Sequence, residues 1–203
     1  MEAGILRRSR SPMTTLVFLL EEPSAKAMLE GLLPRFLTPE INVRYVPFEG
    51  KQDLHRQLER KLRGWLTPST RFVVLRDQDS AGCIDVKHEI AEICRRAGKP
   101  ETLVRIACHE LESFYLGDLQ AVAGALGIGG LAGLQDTHKF RSPDRLSNPS
   151  DELRRITNGR YQKIAGSRAI GPCLRLDDGS RSNSFRVLVS GIRRVAQDLV
   201  GAQ

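Results

Sequence analysis

Apolar residues recur along this 203-residue chain in two rhythms. Leu16 to Leu20 and Phe72 to Leu75 are short, continuous apolar runs, the pattern of strands covered on both faces. Ile41 to Phe48 alternates, with Ile41, Val43 and Tyr45 directed inward, and Leu103 to Ala107 reads as a fourth strand. Between these runs the spacing becomes helical: Met28, Leu32 and Phe36 with Leu29 and Leu33; Leu54, Leu58, Leu62 and Trp65; then Val86, Ile90, Ile93, Cys94 and Ala97. Ser24, beside Pro23, is placed to cap the first helix and Asp85 the third, which Gly98 ends.

Strand and helix therefore alternate through residue 107, which predicts an α/β fold: a Rossmann-like parallel sheet of about four strands with helices on both faces. In such sheets functional groups collect at the carboxyl ends of the strands. The rest of the chain is less regular. A helix is expected from the segment His109–Asp118 through Leu126, followed by a glycine-rich flexible connection over 124–133. That connection lacks the Gly-Lys-Ser/Thr ending of a phosphate loop. Residues 134–183 are polar, with a short helix near Pro149–Thr157, and Phe185 to Leu199 forms a closing amphipathic helix. The expected division is a disordered basic leader (1–12, with Met13 an alternative start), an α/β core (13–126) and a basic, mostly helical C-terminal extension packed on that core (127–203).

Charge sharpens this division. The net charge of +7 lies wholly in residues 139–203, which hold 13 Lys and Arg against 6 Asp and Glu. A basic tail on a neutral body suits a polyanion such as nucleic acid, and equally a solvated surface. Arg7, Arg8 and Arg10 precede an apolar run as in a secretory signal, but that run is too short and Glu21-Glu22 stands where a cleavage site would need small residues. No stretch approaches membrane-spanning length. Four cysteines with no Cys-x-x-Cys spacing fit reduced thiols in a cytoplasmic protein.

The candidate chemistry is acidic. The first strand ends in Glu21, the third in Asp77-Gln78-Asp79, and the fourth leads through His109 to Glu110 and Glu112. If the third strand stays extended, Asp77 and Asp79 project to one side. Each group alone also fits a helix cap or a solvated turn. Together they crowd carboxylates on one sheet edge, where one or two Mg2+ or Mn2+ ions would relieve their repulsion and support phosphoryl transfer or phosphodiester hydrolysis.

LVFLLEEPSAK and VVLRDQDSAG resemble the two motifs of the Toprim domain, found in topoisomerases, primases and nucleases of the overcoming-lysogenization-defect type. HELESFYLGD and the segment Tyr161-Gln162-Lys163 further resemble a compact bacterial Toprim-like family, some members of which are linked to antiphage defence. The resemblance implies Glu21 as general acid/base or metal ligand, Asp77 and Asp79 as metal ligands, and Glu110 and Glu112 at a second metal. Toprim domains usually place Gly after the motif glutamate, where this chain has Glu22. Lys163, Arg160 and Arg168 are candidates for contact with backbone phosphate, or are generic basic surface.

The expected function is thus a metal-dependent nuclease or related phosphodiester enzyme acting on nucleic acid, with an ATPase partner implied by the resemblance alone. A non-catalytic Toprim-like subunit that binds nucleic acid or a partner is the alternative. Asp-x-Asp with Lys163 and Asp177-Asp178 also resembles haloacid-dehalogenase-type phosphatases, although two strand-helix units precede the motif here.

Overall fold

Strand β1 (Thr15–Leu20) is buried along its whole length, because its alternate side chains enter two different apolar layers. Leu16, Phe18 and Leu20 point into one and Val17 and Leu19 into the other. This arrangement comes from a computed structural model, which describes residues 14–201. The expected leader lies outside the described residues. Strands β2 (Asn42–Pro47), β3 (Thr70–Asp77) and β4 (Leu103–Ala107) join β1 in an all-parallel sheet of order β2-β1-β3-β4, confirming the α/β fold.

Helix α1 (Pro23–Leu32) packs Met28, Leu29 and Leu32 on the first face. Helices α2 (Lys51–Arg63) and α3 (Cys83–Arg96) cover the second with Leu54, Leu58 and Leu62, and Val86, Ile90 and Ile93. Trp65 packs there edge-on to Phe72, with ring centroids 5.9 Å apart. The C-terminal part completes the first face: α5 (Leu119–Leu126), α7 (Lys163–Ile170) and α8 (Asn183–Gly201) bring Leu119, Ile170, Leu188 and Ile192 into the same core as β1. Among the described residues no helix is long and apolar enough to cross a membrane.

Several local expectations need correction. Pro23 takes the first helical position of α1, which moves the cap from Ser24 to Glu22. Gly82, not Asp85, occupies the cap position of α3, and Asp85 stands in its first turn. The single helix expected before Leu126 is two, α4 (Glu112–Leu116) and α5, broken at Gly117 so that Asp118 can cap α5 through the Ala121 N–H at 3.1 Å. Helices α6 (Pro149–Ile156) and α8 match the periodicity, whereas α7 falls within the stretch read as irregular. Its sequence, KIAGSRAI, carries Gly and Ser where a helical stripe would show apolar residues. Those small residues are what its position requires, since Gly166 lies against the Tyr161 ring.

Beyond the end of α7, Gly171 meets the backbone of Met28 so closely that a Cβ there would collide with the Met28 carbonyl oxygen, which cannot rotate away. Gly171→Ala should therefore separate α1 from α7 and cost about 1–3 kcal/mol of stability. The measurement is the urea midpoint, which should fall while the slope of the transition stays unchanged.

Candidate functional site

The first crossover leaves β1 in one direction, reaching β2 over the face covered by α1. The chain then returns past β1 to β3 over the opposite face, and continues outward to β4. The direction of winding thus reverses between β1 and β3. In open α/β sheets such a reversal splays the loops apart and leaves a crevice outside the carboxyl ends of the two strands. Glu21 and Asp77 stand at those two ends.

Glu21 is almost wholly buried and fixed by its surroundings. Its N–H donates to the Leu75 carbonyl at 3.1 Å, and its Oε2 accepts the Asp77 N–H at 3.1 Å. Arg76, buried at 2% exposure, places Nε 3.7 Å from the same oxygen. Burial raises the Glu21 carboxyl pKa, the Asp77 N–H and Arg76 pull it back, and Asp79 and Glu22 push it up further. The Asp77 carboxyl stands well above the ordinary carboxylate range, first through burial and then through Glu21, Glu112 and Glu22, with the Leu111 N–H opposing.

Glu112 begins α4 and is fully buried. Its Oε1 accepts the Tyr161 hydroxyl at 2.7 Å, and its Oε2 has no hydrogen-bond partner. Burial raises its pKa, with Tyr161 and Lys163 holding it back. Tyr161 therefore does more than pack. Its ring lies 5.9 Å from that of Tyr115, and its hydroxyl orients an acid of the site. Lys163 grips Glu22, with Nζ 2.9 and 2.6 Å from the two carboxylate oxygens. Burial alone would lower the pKa of this lysine, but Glu22, Glu112 and Asp77 raise it on balance.

The remaining sequence candidates separate. Strand β3 ends at Asp77 and Asp79 adopts a left-handed φ of 57°, so the strand alternation that would align the two aspartates stops short of Asp79. The Asp79 carboxylate instead meets Lys51 at 3.2 Å and Arg76 at 3.7 Å, although it remains near enough to Glu21 to raise that group's pKa. Its backbone clamps the loop after β4: Asp79 N–H donates to the His109 carbonyl at 2.9 Å, and His109 Nδ1 lies 3.1 Å from the Asp79 carbonyl. Glu110 turns away to accept the Ser150 N–H at 2.7 Å near the start of α6. Arg160 reaches the Gly127 carbonyl at 3.4 Å, and Arg168 lies exposed on α7. Asp177 is engaged by Arg175 at 2.6 Å.

Glu22 does not crowd the turn. Its φ of −136° is extended backbone open to any residue, and its side chain leads out to Lys163. Arg76 and Lys51 are the members that sequence reading overlooked. Arg76 sits inside the third strand's own motif, where a charged residue among buried neighbours is itself the signal of a nearby acid. Lys51 has no such signature, since a lysine at the start of an exposed helix is common.

The oxygens left to hold a hard cation are those of Asp77 and Glu21; the Glu112 carboxylate, whose Oε2 is bare, lies near enough to Asp77 to raise its pKa. Oxygen donors at a polar crevice fit Mg2+ or Mn2+ in kind. Among the described residues no three His, Cys, Asp or Glu side chains already stand together as a ligand group. The family model described as "Domain of unknown function (DUF4276)" matches residues 20–193, spanning both the sheet and the C-terminal helices. No curated protein and no solved structure matches the chain.

Because folding keeps a proton on Asp77 to higher pH than an unfolded chain would, the folded state binds more protons above the ordinary aspartate value. Stability must then fall as pH climbs from that value towards the raised one. In EDTA, Asp77→Asn should flatten this fall and be more stabilising at about pH 8 than at about pH 5. Urea unfolding of both chains at the two pH values checks it, and identical pH dependence would refute the assignment.

Proposed function

The chain belongs to the DUF4276 family, and we propose that it is a Mg2+- or Mn2+-dependent enzyme acting on phosphodiester bonds of nucleic acid, a nuclease or a near relative of one. The observation that carries this reading is the contact of Glu21 with Asp77 at the point where the sheet reverses its winding, with Glu112 near enough to raise the Asp77 pKa. The Toprim-like motifs that hold Glu21 and Asp77 imply the same chemistry. By the same resemblance, the proposal extends to a role in antiphage defence beside an ATPase partner.

A divalent ion at this edge would polarise a phosphate oxygen and lower the pKa of a water. The chain's own residues supply the rest. Glu21, locked by the Asp77 N–H and carrying a raised pKa, is suited to take and return a proton. Asp77 offers the ion its carboxylate, and its preference for a proton is the charge deficit a cation would fill. Tyr161 keeps Glu112 oriented. Lys163, half-exposed and held by Glu22, can lean towards a phosphate that enters the crevice.

A second reading is a non-catalytic subunit that binds nucleic acid or a partner. It is favoured by the absence, among the described residues, of a three-ligand group, and by the cations that already face Asp79 and Glu22.

Labelled DNA and RNA oligonucleotides incubated with Mg2+ or Mn2+ separate the two. The nuclease reading expects cleavage that EDTA stops and that Asp77→Ala and Glu21→Ala each reduce about 10²-fold or more. Robust metal-dependent cleavage by both variants would overturn it, and binding without cleavage in either metal would favour the second reading.

A further inference from the structure

Gly117, at the far end of α4 from Glu112, is pressed against Ser180 and Ser182, and its carbonyl accepts the Arg181 N–H at 2.8 Å. This contact ties the acidic edge to a second polar concavity. Arg141, Arg175, Arg181 and Arg186 line a cavity of about 440 Å³ there, with Asp178 on its wall. We infer that this cavity is a binding site for a backbone phosphate of a nucleic-acid strand. The inference rests on the nucleic-acid part of the proposed function and assigns that substrate a docking point.

The four arginines are prepared for an anion in different ways. Arg175 is held by Asp177 through two hydrogen bonds of 2.6 and 2.9 Å. Its guanidinium lies directly over Gly179, where any Cβ would strike it, so the glycine is needed for the arginine to lie flat. Arg181 is paired with Asp136. These two pairs set guanidinium planes. Arg141 and Arg186 differ, having no carboxylate within ion-pairing distance among the described residues. The Arg186 guanidinium donates to the Asn183 side chain at 3.3 Å, and its buried Nε has no hydrogen-bond partner.

A buried guanidinium N–H without an acceptor is costly, and a phosphate oxygen is the ligand that two neighbouring guanidinium forks bind best. The three aspartates that pair with these arginines or line the cavity leave the arginines in excess. The N-terminus of α8 does not explain the cluster, because Asp144 and Ser182 already accept its first N–H groups at 2.7 and 3.2 Å.

Helix α4 spans about 7.5 Å of rise between Glu112 and Gly117, so the two sites lie at opposite ends of one buried helix. Lys163, Arg160 and Arg168, the basic residues singled out from sequence, do not line it.

Fluorescence anisotropy with a labelled single strand of about 20 nucleotides, in EDTA so that no chemistry occurs, tests the site. Arg141→Ala should weaken binding several-fold and lower the slope of log K against log salt by about 1, and adding Arg186→Lys should weaken it further by removing the planar fork. Both changes leave the packed core intact, which circular dichroism checks. Arg95→Ala, at an exposed arginine on α3, should keep wild-type affinity. Inorganic phosphate should compete only weakly. Saturation by micromolar phosphate would reassign the cavity to a free anion and overturn the inference. So would wild-type affinity in Arg141→Ala with Arg186→Lys, an equal loss in Arg95→Ala, or no binding by the wild type. A chain that binds in the expected way and never cleaves leaves this site standing while favouring the non-catalytic reading.

Discussion

The acidic edge depends on β1 having a parallel neighbour on each side. The Glu21 N–H bonds the Leu75 carbonyl of β3, while its own carbonyl accepts the Gly50 N–H just beyond β2. With its backbone held from both flanks, the side chain has one direction left, into the crevice between β1 and β3. There the Asp77 N–H and Arg76 meet it. These contacts offset part of the cost of burying an acid but not all of it, as the raised pKa values of Glu21, Asp77 and Glu112 express. The sheet thus keeps several acids in a state that a cation would improve, using stability contributed by the apolar layers on its two faces.

The parallel sheet was legible because β1 and β3 are continuous apolar runs, β2 alternates and the first three helices carry clear stripes. The order of the strands was not. Nothing in the runs at 16–20 and 72–75 says that these two pair, and it is that pairing which puts Glu21 against Asp77. The acids were legible as a set, since each follows a strand, yet their directions were decided by backbone detail. A left-handed residue at 79 turned one aspartate towards Lys51, and a helix start at 112 buried one glutamate while Glu110 went to α6. Helix α7 carries no clear stripe because close approach to the Tyr161 ring selects small residues, and small residues erase the periodic signal that identifies a helix.

The basic C-terminal portion has more than one use. Lys163 and Tyr161 enter the acidic edge from it, so its charge is not simply a surface held out to a polyanion. Meanwhile Arg175, Arg181 and Arg186 gather beside the cap of α8, near the end of the helix that Glu112 begins. Charge counted along a chain identifies an excess. Only the fold says how much of it is spent against local carboxylates.

The packing of α7 on α1 has a consequence for how the molecule comes into being. Helix α1 leaves the ribosome before its cover does, since Gly171 and Pro172, which close over Met28 and Gly31, emerge about 140 residues later. At ordinary elongation rates that delay is on the order of 10 s. Throughout it the side of α1 that α7 covers stays open, a span in which a nascent chain is exposed to chaperones and to misassociation. Tyr161 and Lys163 arrive in the same later segment, so the acidic edge acquires these members only long after Glu21 and Asp77 have been made.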